Sequence, residues 1–249
     1  MSTPAILVRA LKKFYGSKAA VDGVDLEVPR GSFFGFLGPN GAGKSTTIRM
    51  LTGLIPADSG SIEILGYRMP EQSLEIKRRI GLVPDESLLF DRLTGAEFLE
   101  FVGRMYGLGR STAMERAGDL LELFELQADR KMIGEYSKGM RKRVAMAASL
   151  IHHPELFLMD EPFEGVDAMG ARLMKDILTD QVKRGATIFL TSHVLEVVER
   201  LCDRVAIIHH GRIVDSGTLE ELRSGGESLE DAFVRLVGAG HQMERLDWL

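Results

Sequence analysis

The sequence predicts an α/β fold with a mostly parallel sheet. Short runs that are almost wholly apolar recur along the chain, at residues 33–37, 156–159 and 187–190 for example. Such runs are typical of strands that are buried on both faces of a parallel sheet. Segments with apolar residues at helical spacing separate them, and polar residues follow several of the runs directly. This order predicts a crevice at the carboxyl ends of the strands, where α/β proteins bind their ligands.

Composition narrows the classes of function. The 249-residue chain is 45 % hydrophobic and 27 % charged, which is ordinary for a globular chain of one large or two modest domains. Its formal net charge of −5 argues against a general nucleic-acid binder. No 18-residue apolar run occurs and the first residues lack the order of a signal peptide, so we expect a chain that neither spans a membrane nor is exported. The single cysteine, Cys202, fits a reducing cytoplasm and is interpreted as a packing residue.

The elements predicted along the chain suggest one domain with an insertion. Strands at residues 6–8 and 24–28, joined through residues 12–16, predict an antiparallel portion at the N-terminus. Further strands are predicted at residues 61–66 and 80–83. From residue 94 to residue 126 the pattern changes to helices, and another helix covers residues 138–152. We expect a single domain over residues 1–237 with a helical subdomain inserted at about residues 91–153, and a C-terminal tail at residues 238–249.

Residues 38–46 read G-P-N-G-A-G-K-S-T and match the phosphate-binding pattern G-x-x-x-x-G-K-[ST]. A strand is predicted before this P-loop and a helix, at residues 46–54, after it. Glycines let the backbone N–H groups turn inward around an anion, the lysine supplies a charge for the β- and γ-phosphates, and the serine hydroxyl can ligate Mg²⁺. The alternative is a glycine-rich turn that caps a helix, but the flanking elements favour nucleotide binding. The predicted nucleotide-binding residues here are Gly38, Pro39, Asn40, Gly41, Ala42, Gly43, Lys44, Ser45 and Thr46.

Other polar residues are expected near Lys44, because parallel strands bring their carboxyl ends to one edge of the sheet. Asp85 follows the run at 80–83, Asp160 and Glu161 follow the run at 156–159, and His193 follows the run at 187–190. By themselves the two adjacent carboxylates could cap the next helix, and the histidine could be a core residue. The P-loop favours metal binding and catalysis for the two carboxylates instead.

The order of these pieces resembles the nucleotide-binding subunits of ABC transporters, from residue 6 to about residue 237. Tyr15 stands where the family has the aromatic residue that stacks on adenine. The segment Y-S-K-G-M at residues 136–140 stands at the signature sequence, and G-V-D at residues 165–167 at the D-loop. The D-E pair at residues 160–161 ends the Walker B strand, and His193 is the switch histidine.

The resemblance implies an ATP-binding cassette, with a mostly parallel P-loop sheet, an N-terminal antiparallel β portion and an inserted helical subdomain. It also implies ATP hydrolysis with Glu161 and His193 as catalytic residues, and Mg²⁺ bound by Ser45 and Asp160. Asp85 would belong to the Q-loop and Asp167 to the D-loop. The residues expected to act on ATP bound by a partner subunit are Ser137, Lys138, Gly139 and Met140.

The same resemblance implies partners and a location. One partner is an integral membrane permease subunit, and the other is a second cassette, in a homodimer or a close heterodimer. The chain would lie peripherally on the cytoplasmic face of the membrane, and no nucleic acid is expected. The alternative is a soluble ABC-type ATPase in DNA repair or translation. Those relatives usually have long coiled-coil insertions or tandem cassettes, and neither is predicted here.

The sequence departs from the family pattern at three places. Lys138 and Met140 replace a glycine and a glutamine of the signature, a variant that resembles the exporter branch handling drugs, lipids, polysaccharides or ions. Asp85 replaces the Q-loop glutamine, and we hypothesise that its charge lowers ATP turnover until a membrane partner repositions the loop. After Walker B, Phe163 and Glu164 replace smaller polar residues. The apolar residues 88–90 are either core or part of the groove for the membrane partner.

Overall fold

The computed structural model describes residues 3–85, 89–126, 131–223 and 228–238. The strands of these residues are β1 (Ile6–Tyr15), β2 (Lys18–Val28), β3 (Phe33–Leu37), β4 (Ser59–Ile64), β5 (Tyr67–Met69), β6 (Ile80–Val83), β7 (Leu156–Asp160), β8 (Thr187–Ser192), β9 (Arg204–His209) and β10 (Arg212–Thr218). The helices are α1 (Lys44–Leu51), α2 (Ser73–Lys77), α3 (Gly95–Met105), α4 (Arg110–Leu123), α5 (Lys138–Leu150), α6 (Ala168–Lys183), α7 (Leu195–Leu201), α8 (Leu219–Leu222) and α9 (Leu229–Val237).

Two sheets organise these elements. A six-stranded sheet has the order β10-β9-β3-β8-β7-β6, and all its neighbouring strands are parallel except the pair β10 and β9. A four-stranded antiparallel sheet has the order β2-β1-β4-β5. The α/β class, the mostly parallel sheet and the N-terminal antiparallel portion are therefore confirmed.

The central strands are buried on both faces, as their unbroken apolar sequences predict. Along β7, Leu156 and Leu158 pack in the core toward the antiparallel sheet, whereas Phe157 and Met159 pack in the core that contains the helices. Alternation is expected because successive side chains of a strand point to opposite faces. The two cores lie on opposite faces of the sheet, and the parallel pairing of β3 with β8, β8 with β7 and β7 with β6 places the carboxyl ends of these strands beside one another.

Helices α3, α4 and α5 lie between β6 and β7 in the chain and contribute to the second of these cores. Thr94 begins α3 with a capping box, in which its hydroxyl accepts from the Glu97 N–H while the Glu97 carboxylate accepts from the Thr94 N–H. This reciprocal pairing satisfies two N–H groups that a helix start leaves without intrahelical partners. None of the helices in the described residues is long and apolar enough to cross a membrane.

The N-terminal strands are longer than predicted, and the connection placed at residues 12–16 was wrong. Most of that segment belongs to β1, and the turn lies at residues 16–17. Lys12 stands opposite Asp22 in the strand register and lies 3.3 Å from its carboxylate. These charged residues face solvent from a sheet, so they obscured the apolar alternation from which the strand limits were predicted.

Candidate nucleotide site

A cavity of about 590 Å³ opens where the carboxyl ends of β3, β6, β7 and β8 meet. Its lining combines the P-loop with polar residues from the neighbouring strand ends and with one end of the β1–β2 hairpin. The lining residues are Tyr15, Lys18, Ala20, Pro39, Asn40, Gly41, Gly43, Lys44, Ser45, Thr46, Asp85, Glu161, Glu164 and His193. The predicted crevice therefore exists, and it brings together residues that are up to 178 positions apart from Tyr15 to His193.

Two glycines of the P-loop are required by close packing. A side-chain carbon at Gly38 would lie 2.4 Å from the Ile208 carbonyl oxygen, and one at Gly43 would lie 2.5 Å from the Ala20 carbonyl oxygen. Gly43 also has φ 115°, in the left-handed region that favours glycine, and directly precedes α1. The loop can thus approach β2 and β9 closely and turn its N–H groups toward the start of α1, where an anion is favoured.

Lys44 lines the cavity with a largely buried side chain. Its side chain is only 6 % exposed, and its ammonium donates to the Gly38 carbonyl oxygen at 2.7 Å. The same ammonium lies 3.3 Å from Glu161 Oε1. A buried ammonium that is paired in this way is held in a defined position, as a group that binds phosphate must be.

Glu161 has a strained backbone and two charged or ionisable neighbours. Its φ of 46° lies in the left-handed region, which is uncommon for residues other than glycine and accumulates at functional sites. The Glu161 N–H donates to Thr191 Oγ1 at 3.1 Å. Besides Lys44, His193 Nδ1 lies 2.9 Å from Glu161 Oε1. The cavity thus contains a contiguous Lys44–Glu161–His193 cluster.

Asp160 lies behind this cluster and does not line the cavity. It is the last residue of β7, is 4 % exposed, and its Oδ1 accepts from Thr191 Oγ1 at 2.6 Å. Thr191 on β8 therefore holds both acidic residues, since its hydroxyl also accepts from the Glu161 N–H. Of the predicted P-loop residues, Gly38 and Ala42 likewise stand outside the lining.

The hairpin end of the cavity carries an aromatic ring and a cation. Tyr15 is 51 % exposed and stands opposite Lys18 in the register of β1 and β2. Sequence reasoning did not identify Lys18 or Ala20, because it began the second strand at residue 24. The signal that could have found them is the hairpin register, which places Lys18 directly across from an aromatic residue already under consideration.

The predicted signature and D-loop residues act as helix caps in the single chain. The Ser137 hydroxyl accepts from the Met140 N–H at 3.2 Å at the start of α5, and Asp167 Oδ1 accepts from the Gly170 N–H at 2.9 Å at the start of α6. This hydrogen bond holds the pKa of Asp167 below its usual range. Neither Gly139 nor any of these capping residues lines the cavity of its own chain.

Lys138 and Glu164, two of the departures from the family pattern, contact each other. Lys138 Nζ lies 2.8 Å from Glu164 Oε1, and Glu164 lines the cavity. The hydrogen bond between them lowers the pKa of the Glu164 carboxyl and raises the pKa of the Lys138 ammonium. Glu164 was not predicted as a cavity residue, although it follows Glu161 by three positions in the same loop. Asp85 lines the cavity near the end of β6.

Comparison with known proteins identifies the family. The family model of the ABC transporter domain matches residues 21–164, more than half of the chain. The chain is 41 % identical over 241 residues to the daunorubicin resistance ATP-binding protein DrrA3 of Streptomyces coeruleorubidus, which covers 96 % of this chain and 76 % of that protein. It is 42 % identical to the linearmycin resistance ATP-binding protein LnrL of Bacillus subtilis, which covers 88 % of this chain and 71 % of that protein.

Solved structures agree with these sequence matches. The fold resembles an ATP-binding subunit of an ABC transporter with a TM-score of 0.87 and 33 % identity, over 94 % of this chain and 99 % of that chain. A dimeric ATP-binding cassette solved in a post-hydrolysis state with ADP and phosphate has a TM-score of 0.80 over 86 % of this chain and 99 % of that chain, and at 23 % identity it supports the fold alone. These matches, together with the P-loop and Glu161 in one cavity, show that the chain belongs to the ABC transporter family and is one of its ATP-binding, ATP-hydrolysing subunits.

Proposed function

We propose that the chain drives export through a separate membrane subunit, with the described cavity as its ATP site. The observation that carries the assignment of the site is the Lys44–Glu161–His193 cluster beside the P-loop. The N–H groups of the P-loop and the Lys44 ammonium would hold the phosphates, and Tyr15 would stack on the adenine ring. Lys18 stands beside that ring on the opposite strand.

Mg²⁺ is proposed as the cofactor, and the donor set fits it. Mg²⁺ prefers oxygen ligands and is usually held by one or two carboxylates together with substrate phosphates. Ser45 lines the cavity with a hydroxyl, and the buried Asp160 carboxylate lies at the strand end behind it. Among the described residues there is no group of three or more His, Cys, Asp or Glu side chains that could hold a metal ion by themselves. The ion would supply charge neutralisation on the phosphates.

Glu161 is proposed as the general base for the attacking water. His193 is proposed to act with it by positioning the Glu161 carboxylate. A carboxylate in this role contributes on the order of 10²–10⁴-fold in rate. Its contacts suit the role, because Lys44 and His193 orient the Glu161 carboxylate and Thr191 fixes its main chain. Phosphates that draw the Lys44 ammonium toward themselves would free the Glu161 carboxylate to accept a proton.

The signature residues are proposed to act on ATP held by a second cassette. Ser137, Lys138, Gly139 and Met140 stand outside the cavity of their own chain, which leaves them available to a partner. The start of α5 offers N–H groups and a positive dipole end to an anion. We propose a homodimer or close heterodimer, with Asp167 at the contact between the cassettes.

The membrane partner is proposed to dock on α3. An apolar groove of about 560 Å³ there is lined by Leu93, Glu97, Glu100, Phe101, Arg104 and Met105. Phe101 is 43 % and Met105 is 72 % exposed, and Phe90, 52 % exposed, packs its ring edge against Phe101. Leu89 packs against the core instead, and Leu88 lies outside the described residues. The groove rather than residues 88–90 as a unit is therefore the proposed docking surface.

Export is proposed from the relatives, which are named for resistance to daunorubicin and linearmycin and, in Ralstonia nicotianae, for Nod factor export. Transporter relatives also favour this function over the alternative of a soluble ATPase in DNA repair or translation. We further propose that the chain lies peripherally on the cytoplasmic face of the membrane. A single cassette domain at residues 1–237, with a helical subdomain at about 91–153 and a tail at 238–249, remains a prediction.

Co-purification from membranes tests this function. The tagged chain, extracted in mild detergent, should recover a polytopic membrane protein in equal amount. Replacing Phe101 and Met105 with glutamate should abolish that recovery because each charge lies in the apolar groove, while ATP turnover of the isolated chain persists. Leu54→Glu, at a residue 61 % exposed and outside that groove, is the matched control and should retain the partner. Recovery with ribosomes, DNA or no partner would contradict the transporter function.

A further inference from the structure

A buried lysine on α5 contacts the loop that forms one wall of the cavity. Lys142 is 1 % exposed, yet its ammonium lies among groups of the β6 end and not in solvent. It donates to the Asp85 carbonyl oxygen at 2.5 Å and to the Pro84 carbonyl oxygen at 3.2 Å. Asp85 Oδ1 lies 3.7 Å from the same nitrogen. Three oxygens of two consecutive residues thus surround one cation.

Burial of an ammonium is unfavourable unless hydrogen bonds and opposite charges compensate for the lost water. Burial lowers the pKa of Lys142, and the charges of Asp85, Asp160 and Glu164 oppose that shift. The contacts to main-chain carbonyls are therefore the ones that satisfy the ammonium donors at this position. A lysine with this environment holds the main chain of residues 84–85 in place.

A second lysine on α5 contacts a residue of the cavity lining. Lys138 precedes Lys142 by four residues, one helical turn, and its ammonium pairs with Glu164, which lines the cavity. Its stem crosses Gly165, where a side-chain carbon would lie 2.6 Å from Lys138 Cδ. This pair is about half exposed and is weakened by solvent and salt, whereas the Lys142 contacts are shielded. Lys142 therefore dominates the connection between α5 and the cavity.

We propose that Lys142 is a positioning residue for ATP hydrolysis, holding Pro84 and Asp85 against α5 so that the cavity wall and the signature helix keep one relative arrangement. The proposal rests on the proposed role of the cavity as the ATP site. Because Lys142 holds the main chain of residues 84–85, we expect a change of the Asp85 side chain to disturb the position of this loop less than a change of Lys142.

The test replaces Lys142 with methionine, which keeps an apolar stem and removes the donors and the charge. We expect kcat for ATP to fall on the order of 10- to 100-fold, because small misplacements of a catalytic site have effects of that size. The KM for ATP should change less than about threefold, because Lys142 does not contact the P-loop that provides most phosphate contacts. Amide hydrogen exchange at residues 80–85 should accelerate.

Matched variants separate positioning from folding. Arg141→Met removes the neighbouring cation, which donates to Asp91 Oδ1 and the Ile133 carbonyl oxygen away from the cavity, and should leave kcat and exchange at residues 80–85 near wild type. Lys142→Arg should restore most of the kcat. If Lys142→Met does not fold, Lys142→Leu, which is also apolar and without donors, is measured in the same way.

A folded Lys142→Met or Lys142→Leu protein with wild-type kcat and wild-type exchange at residues 80–85 would overturn the proposal. A loss of kcat that only follows the unfolded fraction would overturn it as well. A failure of the proposed ATP site would give a different result: Glu161→Gln, made in an otherwise wild-type chain, would retain full activity.

Discussion

At the scale of single residues, the cavity combines an acidic cluster with cations that hold it in place. Asp85 and Glu164 line the cavity together with Glu161, and each has a lysine within 4 Å: Lys142, Lys138 and Lys44 respectively. Carboxylates beside phosphates repel them, whereas the paired lysines partly offset that repulsion. The net charge of each carboxylate–lysine pair therefore influences how readily the site binds ATP.

Asp85→Gln should raise the ATP turnover of the isolated chain. Asp85 lines the cavity and its side chain is 46 % exposed, so solvent screens much of its charge. A repulsion of about 1 kcal/mol corresponds to roughly a fivefold increase in rate. The Lys142 hydrogen bonds to the main chain persist in this variant, so the loop stays in place. The measurement is steady-state ATP hydrolysis without any partner, with Asp91→Asn as a control outside the cavity, and no increase in Asp85→Gln would contradict the hypothesis.

At the scale of elements, the junction of α3 and α5 contains a histidine that stays neutral in the folded chain. His152 follows α5, and its ring stacks on Tyr106 at the end of α3, with centroids 3.6 Å apart and planes 8° apart. Its Nε2 lies 3.0 Å from the Ile80 carbonyl oxygen, so that nitrogen carries the proton and donates it. This contact joins the helices to β6, the strand that ends at Asp85.

The stability of the protein should decrease as the pH falls from 6.5 to 4. Burial lowers the pKa of His152 from 6.5 to about 4 in the folded chain. Within that window the unfolded chain binds a proton that the folded chain does not, so folding weakens as the pH falls and is unaffected by this group above pH 6.5. The full effect is at most about 3 kcal/mol, and partial access of water to the ring reduces it.

Denaturant unfolding measured across this pH range checks the effect. His152→Phe keeps a ring beside Tyr106 and removes the titration, so its stability should lack this part of the pH dependence. His153→Asn is the matched control, because His153 is exposed with φ 58°, a conformation that asparagine tolerates. An unchanged pH dependence in His152→Phe would assign the effect to other groups.

At the scale of the whole molecule, the sequence predicted the parts that depend on local pattern. The apolar run at residues 156–159, the P-loop and the acidic residues that follow that run were all identifiable because burial on both faces and phosphate binding each demand particular residue types in order. Their meeting at one edge followed from the rule for parallel strands. The fold class and the family are confirmed.

The contacts that the sequence did not predict depend on long-range register. Lys142 is one of several basic residues at the start of the predicted helix 138–152, and its contact with a loop 57 positions away is not visible in the local pattern. Lys18 was missed because charged residues hid the extent of the β1–β2 hairpin. The proposed role of the signature in a second chain is likewise outside what one chain can display, since residues 137–140 do not line the cavity of their own chain.

The measurement that tests the central claim most directly is the ATP turnover of Glu161→Gln. Glu155→Gln is its matched control, because Glu155 precedes β7 as Glu161 follows it, and it pairs with Arg30 and Arg79 at the opposite end of the strand. We predict that Glu161→Gln binds ATP but hydrolyses it on the order of 10²–10⁴-fold more slowly, while Glu155→Gln keeps the wild-type rate. Wild-type turnover in Glu161→Gln would contradict the assignment of this cavity as the catalytic site.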